Sequence, residues 1–250
     1  LGSVAGPLIS YGLLKLWVDH PNKYREIFFL AGAIAVIPLL IIGLIVRERR
    51  TPVKKQPISL AILKGPFAAF LGVMLLFTLG NSSDAFLILR AQNVGVAAAI
   101  IPVVYALFNL VSAAAAIPAG RLADRIGRRR AITYGWGVYA LVYLGFALAQ
   151  RAWAIWVLYA LYGLYYALTE GAGKALVAEL TPDANLGAAY GLYNASIGVM
   201  ALPASLIAGM LWERVSPAAP FAFGAAMALL AFIGLRFVPE LKATKMEEGK

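Results

Sequence analysis

The sequence predicts an all-α bundle of membrane-spanning helices, and three observations carry that prediction. Of 250 residues, 62% are hydrophobic and only 14% are charged, with a mean hydropathy of +0.79; soluble domains average about 45–50% and about 25%. The apolar residues come in long uninterrupted runs and do not alternate, which is the pattern of helices and not of a barrel. The basic residues gather between those runs. Of 22 Lys and Arg, sixteen fall on one side of the implied membrane and six on the other, which assigns the first side, with the C-terminus, to the cytoplasm.

A helix needs ~20 mostly apolar residues to cross the hydrocarbon core. Taken in order, the charge-poor runs predict eight spans: Leu1–Trp17, Ile27–Val46, Pro66–Leu89, Val96–Ala119, Ala131–Ala149, Ala152–Val177, Leu186–Leu211 and Pro217–Val238. The first opens at Leu1 inside an apolar run, which reads as a fragment that starts within a helix. In it, Gly2 and Gly6 place small residues on one face, where a neighbour can approach closely, and Pro7 leaves a carbonyl unpaired and bends the helix. Between the second and third spans, residues 47–65 carry Thr51-Pro52, Lys54-Lys55 and Pro57 and read as a linker between two bundles. The predicted organisation is therefore two helices in residues 1–46, a cytoplasmic linker in 47–65, a six-helix half in 66–238 and a cytoplasmic tail in 239–250. Glu179–Asp183 reads as a structural loop in which Asp183 or Asn185 caps the next helix.

Composition also excludes whole classes of chemistry. There is no cysteine, so disulfides, thiolate metal sites and cysteine nucleophiles are ruled out. The one histidine, His20, sits in a short outer loop with no triad partner, and no metal, cofactor or enzymatic constellation is evident. The net charge of +10 reports topology and anionic headgroups, because no basic patch is interleaved with aromatics as nucleic-acid grooves require.

Polar residues inside spans should face protein or a water-filled cavity. Thr78, Asn81, Ser82, Ser83 and Asp84 form such a patch late in the third span. At ~1.5 Å per residue, Asp84 lies about 27 Å beyond Pro66, near the outer boundary. Asn109 falls near the centre of its span, and Asn194 near the middle of another. Tyr159, Tyr162, Tyr166, Glu170 and Lys174 recur at spacings of three and four, which predicts one face of three phenols leading to an acid–base pair. Glu170 and Lys174 stand in the favourable Glu-first order. They either neutralise each other and lock the helix end, or form an inner gate or proton site that breaks in one state.

Between the fourth and fifth spans lies Gly120-Arg121-Leu122-Ala123-Asp124-Arg125-Ile126-Gly127-Arg128-Arg129-Arg130, read as a basic turn. It resembles the loop motif G-x-L-x-D-R-x-G-R-R of the major facilitator superfamily at Gly120, Leu122, Asp124, Arg125, Gly127, Arg128 and Arg129. Gly2-Ser3-Val4-Ala5-Gly6-Pro7 resembles the G-x-x-x-G-P motif of that family's drug–proton antiporters, though the continuation departs from it at Ser10-Tyr11. The resemblance implies helices five to twelve of a twelve-helix transporter of the cell (inner) membrane, monomeric, binding a small-molecule substrate without cofactor. It implies alternating access, with proton-coupled efflux of an amphipathic compound as the leading reading and proton-coupled nutrient uptake as the alternative. It also implies that the first and fourth helices of the half line the cavity, and that Asp124, Arg125 and Arg128 latch the two halves.

Overall fold

The computed structural model describes residues 2–17, 20–45, 63, 65–182 and 185–239. Most of the predicted linker and Glu240–Lys250 of the predicted tail lie outside the described residues, as does Asp183. The helices are α1 (Gly2–Leu16), α2 (Lys23–Ile45), α3 (Pro66–Gly80), α4 (Ala85–Asn93), α5 (Ile101–Ile126), α6 (Arg128–Leu148), α7 (Ala152–Glu179), α8 (Leu186–Arg214) and α9 (Ala219–Gly234). Among the described residues, seven helical segments are long and apolar enough to cross a membrane, with α3 and α4 counted as one broken segment. The eighth predicted span, α1, has 15 described helical residues, or roughly 22 Å at 1.5 Å per residue.

Two boundaries and one cap differ from the sequence reading. The apolar pattern predicts a continuous third span over Pro66–Leu89, but the helix unwinds at Asn81–Ser83 and restarts at Ala85. Gly80 and three short polar residues disfavour helix there. Part of the freed backbone is satisfied inside the protein: Asn81 N–H donates to the Phe77 and Thr78 carbonyls, and the Tyr139 hydroxyl donates to the Gly80 carbonyl at 3.2 Å. Unwound backbone at membrane depth survives only with such partners. The basic segment is also not a turn of eleven residues. Gly120 to Arg125 form the last turns of α5, α6 begins at Arg128, and Gly127 alone separates them with φ of 91°. Arg, Leu and Ala are good helix formers, so the helix continues until a glycine takes the left-handed conformation that side chains resist. Finally, Asn185 sits at the N-cap position of α8 but makes no side-chain capping bond.

Lipid tails are as apolar as leucine, so helices in a bilayer associate through close packing and internal hydrogen bonds. Both are visible. α7 packs between α5 and α6, α9 against α3 and α6, α8 against α3, and α1 along α5. The centre is aromatic: Phe77 stacks on Trp136 with centroids 4.8 Å apart, and Tyr139 stacks on Tyr143 at 4.0 Å. Where α3 meets α9, Gly80 faces Gly224 so closely that a Cβ on Gly224 would lie 2.6 Å from the Gly80 carbonyl oxygen. We expect Gly224→Ala to destabilise the bundle by about 1–3 kcal/mol, the usual cost of overpacking. Thermal unfolding in detergent measures it, and Gly187→Ala, with nothing within 4 Å of its Cβ position, should leave the midpoint unmoved.

Among the described residues, nothing approaches the predicted small-residue face of α1. Gly2 and Gly6 have nothing within 4 Å of their Cβ positions, whereas Val4, Pro7, Tyr11 and Leu14 form the half-buried stripe. Their spacing of three and four is that of a helix–helix seam. His20 is also not alone: its Nδ1 lies 3.6 Å from the Glu26 carboxylate.

Arg90 is a firmly anchored charge. It is 8% exposed. Its Nε donates to the Phe146 carbonyl at 2.9 Å, and its Nη2 to those of Ala147 at 3.1 Å and Ala149 at 2.9 Å. Nη1 donates to Asn93 Oδ1 at 2.6 Å. The guanidinium of α4 therefore caps the carbonyl end of α6, where unpaired acceptors and the helix dipole both favour a cation. On sequence alone it counts only as one of six outer positive charges.

Candidate functional site

A polar crevice of about 260 Å³ opens between α3, α6, α7 and α8. Its wall joins Asn81, from the unwound segment, to Tyr166, Glu170 and Lys174 of α7 and Asn194 of α8, over a floor of Phe70, Met74 and Trp136. Five of the predicted site residues thus share one cavity, from three different parts of the fold. Glu170 and Lys174 form an ion pair at 2.5 Å, and both side chains are about half exposed. Two bonds fix its rim: the Tyr190 hydroxyl donates to the Lys174 carbonyl at 3.0 Å, and Asn194 Nδ2 to the Tyr190 carbonyl at 2.9 Å.

The other predicted cavity residues are elsewhere. Thr78 is buried and its hydroxyl donates to the Met74 carbonyl of its own helix at 2.8 Å. Asn109 Nδ2 likewise donates to the Tyr105 carbonyl at 3.0 Å. Tyr159 is 2% exposed, and its hydroxyl has no partner among the described residues. Tyr162 is 4% exposed and donates to Asp84 Oδ1 at 3.1 Å, tying α7 to the start of α4. The expected single face of α7 is therefore two. A spacing of four residues overshoots one turn by about 40°, so the strip rotates by about 120° from Tyr162 to Lys174. Its upper part turns into the aromatic core and its lower part into the crevice.

Sequence reading missed the residues that brace this site. Trp136, Tyr139 and Tyr143 of α6 are all buried, as is Tyr165 of α7. The spacing of three and four along α6 is visible in the sequence, but an aromatic stripe on an apolar helix carries no mark that separates core from lipid face. The structure does so: Tyr139 lies with its centroid 4.8 Å from both Phe77 and Tyr165.

At the Gly127 end, the motif residues divide by role. Arg128 pairs with Glu179 at 2.7 Å and reaches the Ala175 carbonyl at 3.5 Å, so it ties the start of α6 to the end of α7. Within this half it is held by Glu179, read from the sequence as part of a structural loop. Arg129 donates to the Arg236 carbonyl beyond α9 at 2.6 Å. Gly120, Leu122, Asp124 and Arg125 are exposed on α5. Asp124 makes no hydrogen bond or ion pair among the described residues. It borders a second cavity of about 350 Å³ between α5 and α7, whose far wall includes Tyr166 and Glu170.

Comparison with known proteins agrees with this architecture. The Major Facilitator Superfamily pattern matches residues 67–249. The "Uncharacterized MFS-type transporter MJ1317" of Methanocaldococcus jannaschii is 34% identical over 246 residues, which are 95% of this chain and 61% of the relative. The "Uncharacterized MFS-type transporter YhjO" of Bacillus subtilis is 29% identical over 136 residues, 54% of this chain and 31% of the relative. The chain thus spans less than two thirds of either relative's length. Its apolar helices and this kinship make it a multi-pass membrane protein and point to a transporter rather than an enzyme. The chain belongs to the Major Facilitator Superfamily.

Proposed function

We propose that the full-length protein is a proton-coupled secondary transporter that exports an amphipathic solute by alternating access. The observation that carries the proposal is the convergence of two carboxamides, a phenol and an acid–base pair on one crevice with an aromatic floor. Such a surface offers hydrogen bonds and apolar contact without a lone charge, which suits a largely neutral or amphipathic molecule. Glu170 is the proton carrier in this reading. Its carboxylate is paired with Lys174, and a proton on that carboxylate breaks the pair and frees the inner rim. The sixteen-to-six distribution of Lys and Arg supports a cytoplasmic Gly127 end and C-terminus.

Inverted vesicles containing the full-length protein test this directly. With an acidic interior, they should accumulate an amphipathic dye, and collapsing the pH gradient should release it. Glu170→Gln should lower gradient-driven accumulation at least tenfold while dye exchange without a gradient persists. Depletion of dye from the vesicles would instead favour proton-coupled uptake. Gradient-driven transport at the normal rate in Glu170→Gln would remove that residue from the coupling step.

A further inference from the structure

We propose that the groove between the Gly127 end of α6 and the C-terminal end of α9 is a binding site for the headgroup phosphate of an anionic phospholipid. A cavity of about 460 Å³ is lined there by Arg129, Arg130, Thr133, Tyr134, Phe232 and Arg236. Three guanidiniums and the Tyr134 phenol surround it, the Thr133 hydroxyl there donates to the Arg129 carbonyl at 2.9 Å, and no carboxylate among the described residues lines it. The two other cavities at this end differ on that point: one includes Glu179, and the other Asp124 and Glu170. Among the described residues the walls of this groove carry only positive charge, and theirs carry both signs.

Its construction is fitted to a phosphate. Arg129 donates to the Arg236 carbonyl at 2.6 Å, which holds the two chain segments together at the mouth. The Arg236 guanidinium sits 5.4 Å over the Phe232 ring, an arrangement that steadies a cation while leaving its edge N–H groups available. The first turn of α6 also begins at Arg128, so its positive dipole end adds to the field. Guanidinium forks match phosphate oxygens in pairs.

The surface beneath the arginines selects a lipid over a soluble anion. Tyr134 and Leu141 are 58% and 71% exposed on α6, and Leu229 and Ile233 are 51% and 52% exposed on α9. Each pair continues the same helix face downward, at spacings of seven and four. Exposed apolar side chains on both helices thus lie deeper than the basic pocket, where two acyl chains below a phosphate would rest. Basic pockets between spanning helices bind anionic headgroups by this combination. Only the assignment to the cytoplasmic leaflet rests on the orientation proposed above; the site itself is independent of the transport reading.

The test counts phospholipid bound to the purified full-length protein by native mass spectrometry. Phosphatidylglycerol and phosphatidylcholine of identical chains are offered in mixed micelles. We expect phosphatidylglycerol to be retained in preference. Losing one near-surface arginine should weaken it about fivefold, so Arg130→Gln with Arg236→Gln should weaken it about 25-fold. Both side chains are exposed, so folding should survive. Arg121→Gln, an exposed cation of α5 outside the groove, should change nothing. An unaltered preference in the double variant overturns the proposal, and so does an equal loss in Arg121→Gln. Inorganic phosphate should displace the lipid only at far higher concentration; displacement at equal concentration would mean a free-anion site and overturn the lipid assignment.

Discussion

Arg90→Ala should cost the bundle about 3 kcal/mol or more and lower its unfolding temperature in detergent further than Gly224→Ala does. Hydrogen bonds to a charged group contribute about 1.5–3 kcal/mol each, and this side chain makes three to carbonyls around the end of α6 and one to Asn93. The effects do not add fully, because water can reach some of the carbonyls once the side chain is gone. What is left behind is nevertheless a helix terminus stripped of its cap at a buried junction. Arg90→Lys should recover only part of the loss, since a single ammonium cannot reproduce the planar fork that spans Phe146, Ala147 and Ala149. If Arg90→Ala unfolds at the parent temperature, the cap contributes nothing and α4 is held by packing alone.

That prediction depends on a relation the sequence conceals. Arg90 and Ala149 are far apart in the chain, and the only local signal is a cation ending an apolar run. Helix existence is legible, because each run of apolar residues must satisfy its own backbone in lipid. Helix ends are not. The break at Asn81–Ser83 depends on Tyr139 offering a hydroxyl to Gly80, and a partner from another helix cannot be read from neighbours in sequence. The site shows the same division. Asn81, Tyr166, Glu170, Lys174 and Asn194 can be singled out as polar residues where lipid would punish them. Which of the polar residues meet is set by how α7 rotates and how closely α3 approaches α9 at Gly80 and Gly224. The helical overshoot from one residue to the next decides that Tyr162 bonds Asp84 inside the bundle while Tyr166 lines the crevice.

Asp124→Asn should slow transport by the full-length protein about tenfold while leaving the stability of this bundle unchanged. Asp124 is exposed and has no hydrogen-bond or ion-pair partner among the described residues, so removing its charge breaks nothing within them. A conformational ratio shifts tenfold for only about 1.4 kcal/mol, which one charge-assisted contact to a partner helix can supply. Glu179→Gln makes the contrasting case. It removes the partner of Arg128 in a pair whose side chains are 33% and 47% exposed. Solvent screening limits such a pair to about 0.2–1 kcal/mol, so a small fall in stability and a modest change in rate are expected. Measured together, the two variants separate a latch that acts between bundles from a brace that acts within one. A large stability loss in Asp124→Asn, or an unchanged transport rate, would mean that the aspartate serves the fold or the topology and not the conformational cycle.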